Sequence, residues 1–330
     1  MSQGNRHLLA VDLGGTKVAA ALITLEGAIL ARCQEPTSQE GPQAGIHQIG
    51  RLLRTLLQEQ GIQREAVEAI GVGIPAVLEP GSDLVIWAPN LSGWEHIDLR
   101  GGLQSELGLP VTVEYDGHTA VLGEWWQGAG RGFRSLVYLI VGTGIGGGMI
   151  LDGRLYRGLN RLAGAAGWFV FTTDPQHEDA LAVSRGFWES LAAGPGFSRR
   201  AVERLRQQPD SPLYSAAQAG ALNPAQVFQA AGGGERYAQE LLDELAGYLG
   251  LGIANLVSLI NPEIVILGGG IGAQCGPLLP RVRQVMERWA QPVSARSVKL
   301  AVSEVGNDAG LYGAAYAALL RQRESTAIRD

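Results

Sequence analysis

Three glycine clusters, each set directly behind a run of apolar residues, constrain this chain more than any other feature. Gly14-Gly15 follows residues 8–13, the segment 142–148 follows residues 136–141, and Gly268-Gly269-Gly270 follows residues 264–267. Short apolar runs ended by glycine read as buried strands entering tight turns. The first two clusters share a wider setting: strand, turn, second strand (18–23 and 149–151). They lie about 130 residues apart, so the chain uses one device twice. Glycine lets such turns reach positive φ and brings backbone N–H groups close to an anion. Each cluster alone reads equally well as a plain hairpin. Three together point toward phosphate.

The remainder alternates strands and helices. A third strand follows the Glu26-Gly27 turn. Residues 44–60 carry apolar positions at helical spacing, and 67–74 read as a buried strand ending at Pro75. A strand at 110–115 delivers Asp116 to its C-terminal end, and a helix is expected at 119–127. Asp152-Gly153 marks a hairpin. From Gly186 onward helices dominate, with Asn223-Pro224 as a helix start, a long helix at 235–259 and others at 280–289 and 309–321. Strands are expected at 264–267 and 298–302, with a turn at 268–272. This pattern predicts an α/β fold of two domains, divided near Asp116.

Composition narrows the function. The 330 residues carry a net charge of −6 and no basic cluster, which argues against nucleic acid. No apolar window of membrane-spanning length lacks charged or turn residues, and the polar first seven residues do not read as a signal peptide. Cys33 and Cys275, the two cysteines, stand far apart, which disfavours a disulfide scaffold or a cysteine-rich metal site. A cytoplasmic protein is the expectation.

Two nucleotide motifs fit poorly. Gly14 to Lys17 lacks the earlier spaced glycine of a Walker loop. Gly142, Gly144 and Gly147 match G-x-G-x-x-G, but a strand follows where a dinucleotide site needs a helix. Gly268, Gly270 and Ala273 do precede a helix, yet no acidic residue follows at the required distance. A nicotinamide-linked enzyme therefore stands as a minor alternative.

Asp12-Leu13-Gly14-Gly15-Thr16-Lys17 resembles the first phosphate motif of the ROK family of sugar kinases and repressors. Residues 141–149 with Gly158, Gly164 and Gly167 resemble its signature. Asn90 to Trp94, Asp116, Gly186 with Glu189, residues 265–270 and residues 309–314 extend the likeness in the same order along nearly the whole chain. The resemblance implies the actin-like ATPase fold, two RNase-H-like domains around a cleft. The smaller would hold 1–117 and 308–330, the larger 118–307 with helical insertions. The first strand begins near Leu8, leaving no room ahead of it for the helix-turn-helix of the repressor branch.

That resemblance also implies ATP and Mg²⁺. Asp12, Gly14, Gly15, Thr16, Lys17, Gly142, Thr143, Gly144, Gly268, Gly269 and Gly270 would form the nucleotide side, with Asp12 facing the Mg²⁺ shell through water. Residues 309–313 would line the adenosine. Asn90, Tyr115, Asp116, Glu189 and Trp168 would face the acceptor, with Asp116 as the base. From the residues alone Asp116 reads as an N-cap of the following helix. A homodimer is expected by resemblance.

The departures from the family lie on the acceptor side. Tyr115 stands where ROK sugar kinases carry Asn, and Gly164-Ala165-Ala166-Gly167-Trp168 where they read Gly-Glu-x-Gly-His. Ala180, Ala182 and Phe187 fill the cysteine positions of the family's zinc segment, and Trp168 replaces its histidine ligand. Thiolate and imidazole are what tetrahedral zinc requires, so no structural zinc is expected. Trp168, Phe169, Phe171, Phe187 and Trp188 would pack there instead. His177-Glu178-Asp179 reads as a solvated loop. The expected acceptor is a non-standard sugar, keto-sugar or cyclitol, and the alternative is a catalytically silent sugar-binding relative. Trp125-Trp126 reads as core, and His118 as a cleft or helix-surface residue.

Overall fold

The computed structural model describes residues 6–172 and 180–327. The chain opens with β1 (His7–Leu13), β2 (Lys17–Thr24), β3 (Ile29–Pro36), α1 (Pro42–Glu59) and β4 (Val67–Ile74). There follow a small ribbon of β5 (Val77–Leu78) and β6 (Val85–Trp87), then α2 (Leu99–Leu107), β7 (Val111–Tyr115) and α3 (Asp116–Gln127). The second half begins with β8 (Leu136–Val141), β9 (Ile145–Leu151) and β10 (Arg154–Leu155). Six helices come next: α4 (Ala180–Arg185), α5 (Phe187–Ala192), α6 (Gly194–Leu205), α7 (Tyr214–Gln218), α8 (Pro224–Gly232) and α9 (Arg236–Ile260). The chain closes with β11 (Ile264–Gly268), α10 (Gly269–Gly272), α11 (Leu279–Trp289), α12 (Pro292–Ser297), β12 (Lys299–Val302) and α13 (Ala309–Ala327).

The repeat seen in the sequence is a repeat of topology. The first sheet runs β3-β2-β1-β4-β7 and the second β10-β9-β8-β11-β12. In both, the first strand of the set pairs antiparallel with the second and parallel with the fourth. Two lobes of the actin-like ATPase fold result. Period-two alternation gives each sheet two apolar faces. Leu9, Val11 and Leu13 pack with α1 and α2, while Leu8 and Ala10 face α13. Likewise Val137, Leu139 and Val141 face α9 and α11, while Leu136 and Tyr138 face α3.

The lobes exchange helices. α3 follows the last strand of the first sheet but packs on the second, and α13 follows the last strand of the second sheet but packs on the first. The two helices cross where side chains are absent: a Cβ on Gly313 would lie 1.5 Å from the Thr119 carbonyl oxygen, and one on Gly123 2.1 Å from that of Ala309.

Several expectations shift at their edges. Gly146, Gly147 and Gly148 belong to β9, not to the turn. Their bare backbone admits close neighbours, since a Cβ on Gly148 would lie 2.6 Å from the Gly117 carbonyl oxygen. Within the expected turn at 268–272, residues 269–272 wind into one turn of helix. The helix after β7 starts at Asp116, three residues before the expected start. Asn223 and Gln226 form a capping box on α8. By composition α9 is apolar and long enough to cross a membrane, but it is the central helix of the second lobe, with Leu245, Leu249 and Ile253 fully buried.

Candidate active site

The first turn is a backbone hairpin braced from its own lobe. The Gly14 N–H donates to the Lys17 carbonyl at 2.9 Å. Thr37 Oγ1 donates to the Gly14 carbonyl at 2.7 Å, and Gln39 Nε2 to that of Gly15 at 3.2 Å. Thr16 and Lys17 are exposed at its tip. A Cβ on Gly15 would lie 2.5 Å from the Asn90 carbonyl oxygen, so the structure brings Asn90 beside this turn.

The second turn is braced by a carboxylate. The Gly142 N–H donates to the Gly144 carbonyl at 2.9 Å, and the Gly194 N–H at the start of α6 donates to the Gly142 carbonyl at 2.7 Å. Glu189 Oε2 accepts the Ile145 N–H at 2.8 Å. A side chain on Gly144 would collide with that carboxylate, its Cβ 2.6 Å from Oε2. Burial raises the Glu189 carboxyl above its ordinary range despite the Ile145 N–H bond. Thr143 is exposed between the two glycines. The third cluster adjoins the second: the Gly270 nitrogen lies 3.7 Å from the Cβ position of Gly142. Gly269 holds φ at 79°, the left-handed region that suits glycine. Gly268 is buried against the Tyr138 hydroxyl.

Asp12 and Asp116 end β1 and begin the helix after β7, strands on either side of β4. The Asp12 carboxyl is raised by burial, with Lys17 opposing. It rests against the start of α13, where a Cβ on Gly310 would lie 2.8 Å from its Oδ2. Asp116 is raised to about 6, first by burial and then by the negative charge of Asp12. Its Oδ1 accepts the adjacent Gly117 N–H at 2.7 Å. The N-cap reading fails, because Tyr115 holds the cap position and Asp116 already lies within the first turn of α3.

Tyr115, Asp116 and Glu189 share one neighbourhood. Burial and the charges of Asp116 and Glu189 push the Tyr115 phenol up. Its hydroxyl lies 3.5 Å from the Cβ position of Gly146, and its ring meets that of His118 edge-on at 5.2 Å. Segment 164–167 closes over the same strand. A Cβ on Gly164 would lie 2.3 Å from the Gly147 carbonyl oxygen, and one on Gly167 3.2 Å from Glu189 Cβ. Trp168 follows, 57% exposed. It stands outside the aromatic packing expected of it. That packing is made by Phe169 stacked on Trp188 at 5.9 Å, with Phe171 edge-on to Phe187 and Trp188. Of the zinc-ligand positions, Ala182 and Phe187 are buried apolar residues, and no group of three or more metal-ligating side chains gathers among the described residues. His177-Glu178-Asp179 lies outside them.

Behind this site stands a buried charge cluster that sequence reasoning missed. His118 is fully buried, neither in the cleft nor on a helix surface. Its Nδ1 meets Glu114 Oε1 at 3.1 Å and its Nε2 the Ala163 carbonyl at 3.1 Å. Arg157 Nε donates to Glu114 Oε2 at 2.7 Å, and Arg161 bridges Glu114 and Asp83. Burial opposes ionisation of Glu114, yet the His118 hydrogen bond and the Arg157 and Arg161 charges prevail and hold its carboxyl at about 2. A carboxylate inside the otherwise apolar strand β7 was the available signal, since a buried charge demands partners. Trp125 and Trp126 pack on Tyr316 of α13.

Comparison with known proteins now adds to this geometry. The ROK family model matches residues 8–322. A glucokinase of Halalkalibacterium halodurans is 32% identical over 325 residues, 98% of this chain and 97% of its own. An N-acetylmannosamine kinase of Escherichia coli O1:K1 is 33% identical over 319 residues, 96% of this chain and 98% of its own. A ROK glucokinase structure from Streptomyces griseus, in complex with glucose and AMPPNP, matches with a TM-score of 0.79 at 30% identity. It covers 95% of this chain and 99% of its own.

Proposed function

The chain belongs to the ROK family, and from that premise we propose that it is an ATP-dependent carbohydrate kinase with Asp116 as its base. One observation carries the reading: a half-buried carboxylate, its pKa raised to about 6, stands within the first turn of α3 in the field of Asp12. A base poised near neutral pH accepts a proton most effectively. In the proposed step the acceptor hydroxyl gives its proton to Asp116 as its oxygen attacks the γ-phosphorus. The bond to the bridging oxygen breaks and ADP leaves. The N–H groups of turns 14–17 and 142–144 would hold the phosphates, with Thr16, Lys17 and Thr143 adding donors. Gly268 to Gly270 would flank the nucleotide.

Mg²⁺ fits here. Asp12 is a half-buried carboxylate that interacts electrostatically with Lys17 and Asp116, and the Cβ-free Gly310 lies against it. Asp12 would hold the hydrated ion, which supplies charge neutralisation at the phosphates. We assign 1–117 and 308–330 to one domain and 118–307 to the other, in line with the exchange of α3 and α13.

The acceptor is proposed to be a sugar, keto-sugar or cyclitol with a hydroxyl pattern unlike that of glucose. Tyr115, Ala165 and Trp168 offer one phenol, a methyl and one indole N–H in place of an amide, a carboxylate and an imidazole. A hydroxyl that loses its buried partners is penalised, while an exposed indole face suits a stacked ring. Glu189 braces the second turn and would present its remaining oxygen to the acceptor. The test is ADP release over a panel of aldoses, keto-sugars and cyclitols. Efficient turnover of glucose overturns the acceptor assignment, and no turnover of any member favours the silent relative.

A further inference from the structure

A cavity of about 680 Å³ opens between the lobes, and none of the three glycine clusters lines it. Its walls come from both lobes: β7, the Asp83 loop and the end of α13 on one side, the β9–β10 hairpin and the segment up to Arg161 on the other. Its charges do not balance. Asp83 pairs with Arg100, Arg161 and Arg321, and Glu114 with Arg157 and Arg161. Arg154 lines the cavity with no ion pair to a described residue. Among the described residues that line the cavity, four arginines (Arg154, Arg157, Arg161 and Arg321) face three carboxylates, Asp83, Glu114 and Glu324. Arg161 Nε is buried without a hydrogen-bond partner.

We infer that this cavity is a second ligand site, built for a small organic phosphate. Guanidinium groups in excess of carboxylates recognise phosphate through paired N–H donors. Trp125, Leu155 and Leu320 add an apolar wall, and the volume is that of a small-molecule site rather than of a lone ion. The site is wired to the candidate base. Glu114 takes Arg157 on one oxygen and His118 on the other, and His118 touches Tyr115 and holds the Ala163 carbonyl. A phosphate that draws Arg157 or Arg161 away from Glu114 loosens that support and bridges the two lobes. Its effect on turnover rests on the kinase reading, whereas its binding does not.

The test uses the full chain with the nucleotide cleft saturated by AMPPNP. Fructose 1,6-bisphosphate, glucose 6-phosphate and inorganic phosphate are titrated calorimetrically. The organic phosphates should bind with inorganic phosphate about tenfold weaker, and Arg154→Glu should weaken them about tenfold. Arg154→Gln, a milder change at the same exposed position, should fall between. No binding of either organic phosphate up to about 10 mM, equal binding of inorganic phosphate, or binding untouched by Arg154→Glu would overturn the site. With an active acceptor, the bound probe should change the acceptor KM about threefold in the parent chain. Binding with no kinetic effect overturns the coupling to Asp116. Binding in a protein that turns over no acceptor supports the site while counting against the kinase reading.

Discussion

The two sides of the cleft are built from different materials. The proposed phosphate side is mostly backbone, braced by the side chains of Thr37, Gln39 and Glu189. Its first two turns close on their own N–H and carbonyl groups, and its glycines admit neighbours as near as 1.8 Å to a Cβ position. The acceptor side is side chain. Glu189, Asp116 and Tyr115 are held by Ile145, Gly117 and His118 respectively, while Trp168 stands exposed. A backbone cradle tolerates almost any residue between its glycines. A side-chain site changes its chemistry with each substitution. On the proposed assignment, the difference would let one scaffold keep its nucleotide turns while its acceptor residues change.

The sharpest way to break this division is Asp116→Ala. It should lower kcat by about 10²–10⁴-fold with nucleotide affinity, measured by calorimetry, within about threefold of the parent chain. Equal loss of both would mean that Asp116 serves the phosphate side. Next in size, Glu114→Gln leaves Arg157 and Arg161 short of a buried partner and should cost about 3 kcal/mol of stability by denaturant unfolding. A loss near zero would show that the acceptor side does not lean on this cluster. Third is pH. With Asp116 raised to about 6, the base is ionised above that value and protonated below it. The acceptor kcat/KM should therefore fall about tenfold per unit as pH drops below 6, and level off above it. The smallest effect is expected from Trp168→Ala, which should raise the acceptor KM roughly two- to tenfold with the KM for ATP unchanged, as befits loss of a stacking face. A matching change in the KM for ATP would erase the distinction between the two sides.

The same division governs what could be read in advance. Strands and turns follow local patterns: an apolar run, then glycine. β1, β4, β7, β8 and β11 accordingly fall within a residue of their expected ends. Turn edges were harder to place, because Gly146 to Gly148 look like turn residues but serve as bare strand backbone against Gly117 and Gly164. The charge cluster left almost no trace. Arg161 and Asp83 stand 78 positions apart, and both adopt left-handed backbone, with φ at 55° and 63°. No local periodicity announces such a pair. The position of Asp116 inside its helix, rather than capping it, also depends on where β7 ends, and strand ends are fixed by pairing partners distant in sequence.

The exchange of α3 and α13 has a consequence for how the chain is made. Leu8, Ala10, Ala21, Ile23 and Ala69 form one apolar face of the first sheet, and the residues that cover it, Leu311 to Leu319, follow about 240 positions after Ala69. At about 5–20 residues per second, roughly 10–50 s separate the emergence of that face from that of its cover. That face thus stays uncovered until α13 is made, while the opposite face of the same sheet is already closed by α1 and α2. Loss of α13 would then open the first sheet, far away in sequence, on the face that holds Leu8 and Ala10.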